Sequence, residues 1–189
     1  MTIILASASP RRMELLSQVG CEFTVKASDY HEENSIELPP AELAVRHAQA
    51  KALDVAGRSS ADDVVIGADT MVVLQNRIFG KPKGLKDARR MLAELSGQEH
   101  HVITGVAVVC GSKVFTDFAV TVVHMRSCSI EEIERYLATG EYHDKAGAYA
   151  IQGYGALLID SISGCYSNVV GLPLTTLAKL LQKAGVHLL

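Results

Sequence analysis

The stretch Ser7-Ala8-Ser9-Pro10-Arg11-Arg12 follows an apolar run, Thr2 to Ala6, and opens a helical pattern. A helix start already presents unpaired N–H groups and the positive end of the macrodipole. Two arginines placed there deepen that positive field and make sense beside an anion. Backbone amides, the Ser7 and Ser9 hydroxyls and the fixed cations Arg11 and Arg12 together suit a phosphate chain. The pattern is not GxxxxGK[ST], so it is not a Walker loop. A capped surface helix whose arginines pair with nearby acids would use the same residues, and this stretch alone leaves both open.

Asp69 is the second candidate. It lies inside Val64–Leu74, VVIGADTMVVL, with apolar neighbours on both sides. A carboxylate there requires a cation, hydrogen bonds or a metal, and burial could tune it as a base. Gly67, two residues earlier on the same strand face, would clear space beside it, and Thr70 follows it. A structural Asp in a bulge is the competing explanation. Lys51 shares a helical stripe with Ala44, His47, Ala48, Ala52 and Val55. A lysine among small residues could reach inward, or it could snorkel to water. Lys81, in the GKPK turn, could meet a phosphate as a point charge or stand solvated. Gln152 offers a donor and an acceptor for a base edge, or a strand-edge bond to backbone. Glu32 and Glu33 lie in a polar loop, and Asp69 with Glu32 could supply the one or two carboxylates a divalent cation serving phosphates needs. The histidines, including His100 and His101, have no metal-ligand spacing with the cysteines, so no zinc is expected.

The elements that must position these residues follow from periodicity. Residues 2–6 read as a buried strand, with Ser9 capping a helix that begins at Pro10 and ends at Gly20. The alternation of EFTVKA predicts a strand with Phe23, Val25 and Ala27 on one face. DYHEENSIELPP reads as a loop, and a helix runs from about Pro40 to Val55, stopped by Gly57. VVIGADTMVVL is a buried strand, and QNRIFGKPKG a turn with a return strand. LKDARRMLAELSG is a helix with Leu85, Ala88, Leu92 and Leu95 inward. HVITGVAVV and KVFTDFAVTVVHM pair around CGS. SIEEIERYLATG is a helix with Ser129 and Glu132 in capping-box register. AYAIQG and ALLIDSI read as strands around a glycine turn, with Gln152 at the end of the first, and LPLTTLAKLLQKAG as a closing helix. Alternating units followed by hairpin-like pairs predict an α/β fold with a mixed sheet and helices packed on it.

The chain has 189 residues, a formal net charge of −3 and four scattered cysteines. That length supports one large domain or two lobes without a staple. The charge supplies no global basic field for nucleic acid. The cysteines, with no CxxC pair, read as reduced thiols of a cytosolic protein. No apolar run approaches the roughly 20 residues of a membrane helix, and no basic region precedes the first apolar run. The expectation is a cytoplasmic protein with neither membrane nor nucleic-acid partners.

Taken in order, LASASPRRMELL, GADTMVV, the FGKP turn, MLAELSGQEHHVITGVAV, DKAGAYAIQG and VVGLPL resemble the Maf family of nucleoside triphosphate pyrophosphatases. The resemblance covers essentially the whole chain, residues 1–189, as one Maf-like domain. It implies an elongated mixed sheet flanked by helices, a Maf/ITPase-like fold with two lobes around a central cleft. It also implies hydrolysis of a nucleotide between its α- and β-phosphates, a divalent cation, Mg2+ or Mn2+, and room for a homodimer. Asp69 falls on the family's proposed base, and Ser7, Arg11, Arg12, Lys51 and Lys81 on its phosphate positions. Arg11, Thr70 and Gln152 are similar to the branch acting on dTTP and UTP rather than the one acting on 7-methyl-GTP. Many members carry two adjacent acids in the loop after the second strand; here His31 precedes Glu32, with Glu33 next.

The expected chemistry is in-line attack of water, primed by Asp69, on the α-phosphorus. Asp69 and Glu32 would hold the cation, the arginines and lysines would meet the triphosphate, and Thr70 and Gln152 would position the pyrimidine nucleotide. A nucleotide-binding regulator of cell division or septum formation with little turnover would share the pocket, but pure binding needs no general base. A nucleotidyltransferase would need an acceptor-sugar site, for which the sequence carries no signal.

Overall fold

A computed structural model describes residues 1–32 and 37–189. Its strands are β1 (Ile3–Leu5), β2 (Thr24–Val25), β3 (Val64–Leu74), β4 (Arg77–Phe79), β5 (Glu99–Cys110), β6 (Lys113–Met125) and β7 (Ile159–Ser163). Its helices are α1 (Pro10–Gln18), α2 (Pro40–Ala56), α3 (Leu85–Leu95), α4 (Ile130–Ala138), α5 (Tyr166–Val170) and α6 (Leu174–Lys183). The strands form a seven-stranded sheet in the order β2-β1-β3-β5-β6-β7, with β4 paired to β3. The sheet is mixed, as expected: β1 runs parallel to β2 and β3, whereas β4 and β7 are antiparallel to their partners.

The chain divides into two compact units. The first comprises Met1–Asp69, Thr104–Ala119 and Gly171–Leu189. Here α1 and α2 serve as the crossovers that parallel strands require. The register sets Ile4 opposite Val65 and Leu5 opposite Ile66. Ile4, Ala6, Val65, Ala107 and Val109 then pack against Ala48, Ala52 and Val55 of α2. Pro40 starts α2 and Gly57 caps it, close to the expected limits.

The second unit comprises Thr70–Ile103 and Val120–Val170. Gln75 and Asn76, with φ of 48° and 64°, make the tight turn joining β3 to β4, the left-handed pair a two-residue hairpin favours. Val72, Phe79, Leu92, Leu95, Val123, Ile133 and Leu137 belong to its core, and Arg89 of α3 pairs with Glu134 of α4. The Ser129–Glu132 capping box forms as expected.

Five expectations are corrected. Ser9 occupies the N-cap of α1 but makes no side-chain cap bond; its N–H instead donates to Ser7 Oγ at 3.2 Å. The predicted EFTVKA strand shrinks to Thr24–Val25, both exposed, because β2 is the last strand in the sheet order and has a neighbour on one side only. Leu85, expected inward, is 46% exposed, since it opens α3 ahead of the packed turns. AYAIQG is not a strand. Gly147, Ala148 and Gly153 hold φ of 69°, 61° and 64°, which interrupts any ladder, and short 3-10 turns span Ala146–Ala148 and Gly153–Leu158. Only the end of the predicted ALLIDSI strand survives, as β7, and α5 was not anticipated.

Candidate active site

The site in the first unit begins with how closely α2 lies on the sheet. A Cβ added at Gly67 of β3 would sit 2.2 Å from the Ala48 carbonyl oxygen and 2.9 Å from the Ala52 Cβ. One added at Gly105 of β5 would sit 2.3 Å from the Ala44 carbonyl carbon. Two glycines facing an alanine stripe thus let helix backbone touch strand backbone. The space that Gly67 was expected to clear beside Asp69 is occupied by α2 itself, and α2 carries Lys51.

Lys51 resolves the question of the buried acid. Its Nζ donates to Asp69 Oδ1 and to Glu32 Oε1, both at 2.6 Å. The Asp69 side chain is 8% exposed and that of Lys51 14%, so the lysine reaches inward rather than snorkelling. Asp69 lies within the continuous strand β3. Burial is the main influence on its carboxyl and raises it above the ordinary carboxylate range. Lys51 opposes that rise, Glu32 adds to it, and Arg12 opposes it weakly. An acid held in this balance can ionise and can also accept a proton nearer neutral pH than a surface aspartate can.

Arg12 completes the cluster. Its Nε donates to the Gly171 carbonyl at 2.8 Å and its Nη1 to Ser7 Oγ at 3.1 Å. Burial disfavours its charge, while Asp69 and Glu32 favour it and Arg11 opposes it. A guanidinium stays protonated under such pressure, so it is a fixed, oriented cation. Ser7, 9% exposed, therefore organises both the start of α1 and Arg12. Arg11 adjoins Arg12 in the first turn and is partly buried.

The loop bearing Glu32 is tied to α2 by residues the sequence reading did not single out. Ser28 Oγ and the Asp29 N–H both donate to Asp54 Oδ2, at 2.8 and 2.9 Å. Tyr30 Oη lies 3.0 Å from His47 Nδ1. His47 appeared in the α2 stripe, but nothing in the spacing indicated Tyr30 as its partner. Glu33 lies outside the described residues. Thr70, Lys81 and Gln152 belong to the second unit. Thr70 follows Asp69 along β3, Lys81 is exposed in the turn after β4, and Gln152 is partly buried before the Gly153–Leu158 turn.

A buried acid, a lysine shared between two carboxylates and a fixed arginine at a helix start make a site built to handle a strongly anionic, oxygen-rich ligand. The chain belongs to the Maf family: the family's sequence model, described as Maf-like protein, matches residues 2–184. It is 51% identical over 181 residues to a dTTP/UTP pyrophosphatase of Gloeobacter violaceus, spanning 96% of this chain and 95% of that one. It is 51% identical over 185 residues to a dTTP/UTP pyrophosphatase of Geotalea uraniireducens, spanning 97% and 95%. A relative of the same description from Clostridioides difficile is 48% identical over 185 residues, again spanning 97% and 95%. No helix among the described residues is long and apolar enough to cross a membrane.

Proposed function

We propose that this protein is a nucleoside triphosphate pyrophosphatase that hydrolyses dTTP and UTP to the monophosphate and pyrophosphate, working in the cytoplasm. The observation that carries the reading is the buried Asp69, held at 2.6 Å by a lysine that also holds Glu32. The descriptions of relatives near half identity across nearly the whole chain support it. Neither the geometry nor those descriptions favour a turnover-free regulator.

In this proposal Asp69 takes a proton from the attacking water as its oxygen bonds to the α-phosphorus. The α–β bridging bond breaks, and its electrons leave with pyrophosphate. Arg12, fixed by Ser7 and Gly171, meets the charge that develops on the leaving oxygens, with Arg11 and Lys81 adding further positive charge. Lys51 keeps Asp69 and Glu32 from repelling one another before substrate arrives. Thr70 and Gln152 position the pyrimidine nucleotide.

The residues present fit a divalent cation. Asp69 and Glu32 both reach one ammonium nitrogen at 2.6 Å, so two hard oxygen donors converge on a point that a small cation could take in place of the ammonium. That matches Mg2+ or Mn2+, which take one or two carboxylates and fill the remaining positions with water and phosphate oxygens. The pair is a two-carboxylate set: no group of three or more His, Cys, Asp or Glu that could hold a metal gathers among the described residues. When bound, the cation would neutralise phosphate charge and acidify a coordinated water.

The test is pyrophosphate release from a panel of nucleoside triphosphates, with each metal in turn. Asp69→Asn keeps the side-chain shape and removes the base, so turnover should fall by roughly 10²–10⁴-fold at saturating metal. Near-normal turnover in that variant would refute the role given to Asp69.

A further inference from the structure

Gln152 sits in a segment with no ladder to hold it, and yet its surroundings are well anchored. Behind it, the Tyr149 ring is buried with its hydroxyl 2.6 Å from His100 Nε2 of β5. The two rings meet edge-on, with centroids 5.4 Å apart. Further back, the Gly147 N–H donates to the Gly80 carbonyl at 3.1 Å, directly before Lys81. Ahead of Gln152, the anchor is a carboxylate. Glu141, in the turn after α4, accepts the Tyr154 N–H on Oε1 at 3.0 Å and the Gly155 N–H on Oε2 at 3.1 Å.

Gly153 makes this grip sterically possible. Its φ is +64°, and a Cβ there would lie 2.3 Å from Glu141 Oε1. Gln152 itself is extended, with φ −98° and ψ 165°. Its direction is therefore set by a left-handed glycine on one side and a buried tyrosine three residues back. With Glu141 gone, two backbone donors would turn to water, and the bend at Gly153 would lose what holds it.

We propose that Glu141 is a positioning residue that fixes Gln152 and thereby sets which nucleotide base is accepted. This rests on the proposed function, in which Gln152 faces the nucleotide. A carboxylate suits the task because both oxygens accept, one for each N–H, whereas a glutamine offers a single accepting oxygen. In this proposal Glu141 acts through its bonds to the Tyr154 and Gly155 N–H groups, not on the reacting atoms.

The experiment is steady-state pyrophosphate release from UTP, dTTP and ATP by the wild type, Glu141→Ala, Glu141→Gln and Gly153→Ala, with thermal melts alongside. Glu141→Ala should raise KM for UTP on the order of ten-fold, the loss expected for charge-assisted hydrogen bonds, and change kcat far less. The ratio of kcat/KM for UTP to that for ATP should shrink with it. Glu141→Gln should fall between, and Gly153→Ala should follow Glu141→Ala by expelling the carboxylate. An unchanged UTP-to-ATP ratio in Glu141→Ala, with or without a lower melting temperature, overturns the role of Glu141. If that variant does not fold, the same ratio in Glu141→Gln decides. A wild type that releases pyrophosphate from no nucleotide overturns the proposed function, and the role of Glu141 with it.

Discussion

Gly67→Ala tests whether the contact between α2 and β3 sets the active-site geometry. The added Cβ would lie 2.2 Å from the Ala48 carbonyl oxygen, whereas such atoms keep at least 3.0 Å, so the two must separate by about 0.8 Å. Ala48 is helix backbone and cannot rotate away, so α2 must move as a body. Forcing a methyl into a packed core costs about 1–3 kcal/mol. In a chain of this length that lowers the melting temperature by roughly 2–4 °C per kcal/mol. Lys51 lies one turn further along α2 and moves with it, which lengthens its 2.6 Å contacts with Asp69 and Glu32. A misplacement near 1 Å in a catalytic constellation can reduce turnover by about 10²-fold. The assay pairs thermal melts with kcat/KM for UTP. Gly57→Ala is the control: its φ is −61°, its nearest contact would be 3.5 Å, and it should be neutral or stabilising by about 0.4–1 kcal/mol. If Gly67→Ala melts with the wild type and keeps full activity, the helix is not positioned by this contact.

Two further outcomes follow from the buried charges. His100 is fully buried against Tyr149, and burial pushes its pKa down to about 4 from an ordinary 6.5. Its Nδ1 has no regular hydrogen bond, although the Gln98 backbone close by favours a proton there. The folded state therefore binds fewer protons than the unfolded one between those values. The stability is present in full above pH 6.5 and is lost as pH falls toward 4, by about 3 kcal/mol in total. Urea denaturation across that range should show a shallower pH slope in His100→Gln, and equal slopes would contradict the assignment. Lys51→Met strands Asp69 and Glu32 beside one another and should cost about 3 kcal/mol, the low end for a broken buried pair because Glu32 is partly exposed. Adding Asp69→Asn should recover much of that loss in the same denaturation assay, and no recovery would mean that Lys51 stabilises through packing alone.

Much of this was legible where local signals agree. Proline and glycine bracket α2, and an unbroken apolar run marks β3, so both elements were found nearly to the residue. Asp69 and Lys51 each stood out as a charge in apolar company. Their pairing across 18 positions did not, because it depends on how closely two glycines let α2 approach. The anchors of the Glu32 loop were missed for the same reason: Ser28 meets Asp54 across 26 positions, and neither residue is unusual alone. AYAIQG misled because its apolar alternation imitates a strand, while the left-handed φ of Ala148 leaves no mark in composition. Leu85 misled because its stripe position ignores that it opens α3. Segments whose shape is imposed by distant partners carry that information in the partner, not in their own letters.

The contact between α2 and the sheet has one more consequence. Lys51 takes its place from main chain resting on main chain, at Ala44 and Ala48 against Gly105 and Gly67, rather than from the fit of large side chains. The bulky residues around it, such as Val55, Val65 and Val109, can drift in size and be compensated locally over evolutionary time without detuning the chemistry. The four small residues have no such latitude, so sequence divergence in this half of the molecule should accumulate around them and spare them.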